Sequence, residues 1–112
     1  MTWDQVVALA RELPEVEEST TFGAACLRVR GKTFAGLSRH DGAMWTRCDR
    51  DERPLLVASN PELYRLTPHF ERSPAYLLIW LEHATEEEIR ERLLDAWLIQ
   101  APTRLAAQHE LG

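Results

Sequence analysis

Two glycine-centred breaks, Arg30-Gly31-Lys32 and His40-Asp41-Gly42, separate three short runs rich in strand-forming residues at 26–30, 33–39 and 43–48. Glycine supplies the positive φ that tight hairpins demand, so runs this short and this close predict an antiparallel meander. Helical patterns flank it. Thr2 and Gln5 are spaced as a capping box ahead of Trp3, Val6, Val7, Ala10 and Leu13, and Pro14 ends that helix. Between them, Ser19-Thr20-Thr21-Phe22-Gly23 reads as a short extended segment or turn.

Beyond the meander, residues 49–60 predict a short helix, with Pro54 in its first turn and Asn60-Pro61 as its stop. Residues 62–67 read as a fourth strand or extended edge limited by Pro68. Residues 75–82 are apolar on both faces, the pattern of a strand central in its sheet. A closing helix starts at Thr85, capped with Glu88, and runs Ile89, Leu93, Ala96, Trp97 and Gln100 down one stripe until Pro102; a short piece with Leu105 follows. The order α-β-β-β-α-β-β-α implies an α+β two-layer sandwich: an antiparallel sheet with helices on one face and the other face open for function.

At 112 residues the chain has room for one domain, 1–112. Two cysteines, Cys26 and Cys48, give neither a disulfide framework nor metal-ligand spacing and read as reduced thiols. The longest apolar run, 75–81, is far short of the ~20 residues of a membrane span, and no signal-peptide pattern opens the chain. The expectation is a cytoplasmic protein without a membrane partner. Net charge is −5, but the middle third inverts it: residues 26–53 hold Arg28, Arg30, Lys32, Arg39, Arg47, Arg50 and Arg53 against four acids. The molecule repels polyanions at long range while that stretch attracts one locally.

Several of these landmarks occur together in a known order. Leu13-Pro14 followed by acids, Phe22-Gly23, the hairpin from Val29 to Ala35, Pro68-His69-Phe70, Leu77 to Leu81, Asp95-Ala96-Trp97 and Ala101-Pro102-Thr103-Arg104-Leu105 resemble the MmcQ/YjbR family over about residues 3–107. The resemblance implies a CyaY-like or secretion-chaperone-like fold and a DNA-binding role through a double-wing arrangement.

Strand alternation puts Arg28 and Arg30 on the face opposite Leu27 and Val29, and Trp45 with Arg47 opposite Met44 and Thr46. If they share the open face, Arg28, Arg30, Lys32, Arg39 and Arg47 are candidate phosphate contacts and Trp45 a stacking platform. The alternative is that Trp45 and Trp80 fill the core or a dimer contact and the arginines are solvated or paired with acids. A homodimer or protein partner, or a small ligand, on the same face is the second reading. No catalytic, metal-binding or cofactor residues are expected. His40, His69, His83 and His109 are scattered beside turns and helix ends, no serine has a nucleophile-elbow context, and Glu86, Glu87, Glu88 and Glu91 read as a charge-favoured helix start.

Overall fold

The computed structural model describes residues 1–111. Its first helix, α1 (Trp3–Ala10), begins where the sequence predicts: the Thr2 hydroxyl accepts from the Gln5 backbone N–H and the Gln5 side chain returns the bond to the Thr2 N–H. The chain then enters five strands, β1 (Val16–Thr21), β2 (Ala24–Val29), β3 (Lys32–Leu37), β4 (Ala43–Arg47) and β5 (Tyr76–Trp80), joined in one antiparallel sheet whose spatial order equals chain order. Between β4 and β5 lie α2 (Arg53–Ser59) and α3 (Pro68–Glu71). After β5 and one 3-10 turn (Leu81–His83), α4 (Glu86–Gln100) and α5 (Thr103–Leu111) complete the α+β sandwich.

The hairpin turns carry the sheet's twist. Phe22-Gly23 has φ of 49° and 79°, and Arg30-Gly31 has 50° and 81°, so both residues of each two-residue turn are left-handed, as a primed hairpin turn requires. Between β2 and β3 the register slips at Leu27/Arg28, a bulge through which both Phe34 and Ala35 are buried. One face then carries Leu27, Val29, Met44, Leu77 and Ile79 against Val6, Ile89, Leu93, Ala96 and Trp97 of the helices. Trp97 donates its indole N–H to the Pro14 carbonyl at 3.0 Å, and Gln100 donates to the Thr33 carbonyl at 3.0 Å, so α4 is tied to the segment before β1 and to β3. At the α4 cap the Thr85 hydroxyl accepts from the Glu88 N–H, but the Glu88 carboxylate is taken by the Tyr64 hydroxyl, which leaves the capping box half formed.

Three expectations are corrected in detail. The extended segment before Phe22 is a full strand, β1, polar because it is an edge with Glu17, Glu18 and Thr20 exposed. Residues 62–67 are turn and coil; they run beside β5 through a single backbone bond, Trp80 N–H to the Leu63 carbonyl at 2.9 Å, and form no ladder. As a result β5 is the other edge and not central. It reads as a central strand because both its faces are covered: Leu77 and Ile79 by the helices, and Leu78 on the second face, where it is fully buried beside Trp45.

Candidate nucleic-acid interface

The second sheet face is built by register. Cys26 opposes Gly36, Gly36 opposes Trp45, and Trp45 opposes Leu78, so these side chains form one row across β2 to β5, with Arg28 one step along β2 and Arg47 and Tyr76 one step along β4 and β5. Trp45 lies directly on Gly36: a Cβ at that position would stand 2.8 Å from the indole ring. Only glycine admits the ring, and the contact fixes its plane. Tyr76 meets Trp45 edge-on with centroids 5.6 Å apart, and the Arg47 guanidinium sits 5.3 Å from the Tyr76 ring centre.

This face is not bare. The chain after α2 folds around β5, where Trp80 donates to the Arg65 carbonyl at 2.8 Å and Arg65 stacks on the Trp80 ring at 4.3 Å. From there α3 reaches back over the sheet. What holds it is Arg53, nine-tenths buried, whose guanidinium donates to the carbonyls of Phe70, Ser73, Tyr76 and Glu71 at 2.7–3.2 Å. Between α3 and the rest of the face a groove of about 580 Å³ remains. The β1–β2 hairpin contributes Thr21, Phe22 and Ala24 to it, the β3–β4 connection Ser38, Arg39 and His40, and α3 His69 and Phe70, with Trp45 between them.

Each residue singled out from sequence can now be placed. Arg28, Trp45 and Arg47 share the second face, and Arg39 lines the groove, exposed and without an ion pair among the described residues. Arg28 is held in place, its Nε donating to the Thr33 hydroxyl at 3.1 Å and a terminal nitrogen to the Thr20 carbonyl at 3.2 Å. Arg30 and Lys32 depart from the alternation. Arg30 lies beyond the end of β2 in the hairpin turn, where its left-handed backbone redirects it to a two-pronged pair with Glu15 at 2.6 and 2.9 Å. That pairing holds the Glu15 carboxyl below its ordinary range. Lys32 pairs with Val29, which faces the helices, and so starts on the side away from Trp45. Arg28, Trp45 and Arg47, each half-buried, therefore share this face, with Arg39 exposed at the groove.

Sequence reasoning missed Phe22, Phe70, His40 and His69 as groove residues. Only Phe22 carried a usable signal, an aromatic ring placed immediately before a turn glycine. Among the described residues no set of His, Cys, Asp and Glu is arranged to hold a metal ion. Both cysteines are free and buried, and burial pushes the Cys48 thiol up to about 11, away from reactivity. Burial also raises Tyr64, which donates to Glu88. The acids at the start of α4 are likewise engaged, Glu86 with Arg90 and Glu91 with Arg92. Among the described residues no helix is long and apolar enough to cross a membrane.

Residues 11–99 match a family model described as YjbR. Uncharacterised proteins from Mycobacterium bovis and from two strains of Mycobacterium tuberculosis are each 30% identical to this chain over 122 aligned residues, covering 93% of it and 92% of their own length. No solved structure matches.

Proposed function

Because this chain belongs to the YjbR family, a kinship that carries no ligand with it, we propose from its own residues that it binds DNA as a single strand, without catalysis, on the second face of the sheet. The observation that supports this most directly is the fixed indole of Trp45 on Gly36, next to the unpaired Arg39 and on the same face as Arg28 and Arg47. A single strand needs those two elements together: cations that follow phosphates and a flat aromatic surface for exposed bases. A duplex hides its bases and asks instead for an element that enters a groove. An acidic molecule with a local cluster of guanidiniums suits the former, since it disfavours long-range attraction and leaves binding to short-range contacts. The cytoplasm is the compartment in which Cys26 and Cys48 persist as free thiols.

Fluorescence anisotropy with a labelled oligothymidylate tests the proposal. Affinity should fall with salt along a slope of about −0.7 per phosphate neutralised, close to −2 for three arginines, and Arg39→Ala or Arg47→Ala should each make the slope shallower by nearly one phosphate. No binding at low salt, or equal binding of the matching duplex, refutes the reading. A second copy or another protein on the same face is the competing occupant. A dimer seen by light scattering that dissociates when the oligonucleotide is added would leave DNA as the ligand; a dimer that excludes it would replace this reading.

A further inference from the structure

Resting on that reading of the sheet face, we propose that the groove beside Trp45 is a seat for one unstacked nucleobase, with Trp45 as its floor and Phe22 as its clamp. Phe22 makes no contact that accounts for a phenylalanine at its position. It occupies the first position of a two-residue turn at φ 49°, a conformation that favours glycine or asparagine and strains a bulky side chain. The residue is 96% exposed, the largest exposure among the big apolar residues described. Backbone strain and exposed aromatic surface both count against phenylalanine in the free protein. The one structural feature that its side chain does serve is the groove.

The groove has the dimensions and chemistry of a planar ligand. Its volume, about 580 Å³, lies within the roughly 300–1,000 Å³ of small-ligand sites and on the scale of one nucleotide. Three of its walls are aromatic. Trp45 cannot tilt, because Gly36 lies beneath it and Tyr76 meets it edge-on. Phe70 is steadied by the edge of His69 at 5.4 Å and by Arg53, which grips its carbonyl at 2.7 Å. Phe22, on a hairpin tip, is the wall left unpacked. A ring held between such surfaces must be flat, and the hydroxyl and imidazole groups of Ser38, His40 and His69 at the margin call for polar edges on it. The exposed imidazoles of His40 and His69 can pair with such edges, while the Ser38 hydroxyl already accepts from the His40 backbone N–H at 3.1 Å. Arg39 supplies a cation for the phosphate attached to such a ring. Stacking reads no particular base, so the seat is tolerant of sequence and takes one base per protein molecule.

The experiment uses the full chain, deoxyadenosine monophosphate, deoxyribose 5-phosphate, and oligothymidylates with and without a central abasic position, read by tryptophan fluorescence and anisotropy, with Trp45→Phe as the optical control. The nucleotide should quench wild type and not Trp45→Phe. Loss of the base should weaken binding by roughly fivefold to a hundredfold, the range expected for one base stacked on aromatic side chains. Phe22→Asn supplies an independent signature, because Asn-Gly is a preferred primed turn: it should melt at the same temperature or higher, yet bind the nucleotide several-fold more weakly. Gly36→Ala should push the Trp45 ring from its plane and weaken the nucleotide without abolishing salt-dependent oligonucleotide binding. If oligonucleotides bind equally with and without the base, the seat is overturned while phosphate contact stands. If the nucleotide binds and no oligonucleotide does, the seat stands and the single-strand reading falls. If the nucleotide does not bind and Phe22→Asn leaves oligonucleotide affinity unchanged, the seat is overturned.

Discussion

Replacing Arg53 by methionine is the sharpest test of how the groove is held. The substitution keeps the aliphatic stem and its packing while deleting a guanidinium that serves four carbonyls, those of Phe70, Glu71, Ser73 and Tyr76. A hydrogen bond to a charged donor contributes about 1.5–3 kcal/mol, but the four are not additive. The exposed α3 loop carbonyls recover water once released, and removal of a nearly buried charge returns some desolvation cost. A net loss of about 3 kcal/mol is expected, a large part of a domain's stability of roughly 5–15 kcal/mol. For a chain of this size that lowers the melting temperature by about 12 °C, at roughly 4 °C per kcal/mol. Urea denaturation followed by far-ultraviolet circular dichroism measures it, with the slope of the transition as a check on the two-state assumption. A second consequence is local: α3 should exchange its amide protons much faster than β4 in the variant. A loss below about 0.5 kcal/mol, or uniform exchange across both elements, would falsify the claim that Arg53 anchors α3 over the sheet.

Other expectations follow from the same geometry. Glu15→Gln releases Arg30 from its carboxylate partner and should tighten oligonucleotide binding at low salt; unchanged affinity would mean that Arg30 lies out of reach of the strand. Leu93→Ala removes a fully buried side chain of α4 facing the sheet and should cost about 2–5 kcal/mol by urea denaturation, whereas a cost below 1 kcal/mol would contradict its place in the core. Cys48, raised to about 11, stays protonated in the folded protein while the unfolded chain has already lost its thiol proton; this contribution is therefore complete below about pH 9 and disappears as pH climbs through 11. The urea midpoint should drop over that window, less steeply in Cys48→Val, and an identical drop in both proteins would assign it to other groups. Native protein at pH 7.5 should label at neither cysteine with a maleimide, and rapid labelling of Cys26 or Cys48 would contradict their burial.

Local signals carried most of the architecture. The Thr2 cap, Arg30-Gly31, Pro54 at the start of α2 and the apolar stripe of α4 each act within a few residues, and each is realised. What escaped depended on distant partners. Glu17-Glu18-Ser19-Thr20 has no apolar alternation because β1 has a neighbour on one side only, so its strand character comes from pairing with β2. The apolar β5 could not announce its position at the sheet edge, since Leu78 is buried on the second face as fully as Leu77 and Ile79 are on the first. α3, four residues long, gave no periodicity to read.

The site was legible in the same proportion. Alternation located Arg28, Trp45 and Arg47 correctly, because they lie within regular strand, and failed at Arg30, where the turn breaks the two-residue period. A one-residue slip between β2 and β3 has no marker in the sequence, so the burial of consecutive Phe34 and Ala35 was out of reach. The contact of Trp45 with Gly36 joins residues nine apart across a hairpin, and only the register reveals it.

Because each strand lies beside its neighbour in the chain, β1 to β4 can zip together from one hairpin to the next with little loop closure to overcome. Only β5 must wait for a long excursion, residues 48–75, to bring it home. That excursion carries Arg53 and α3, so the wall behind Trp45 is erected with the last strand to join. On the proposed reading of the groove, a chain stalled before that step has most of its sheet but only part of the groove lining, without His69 and Phe70, so recognition would depend on completed folding.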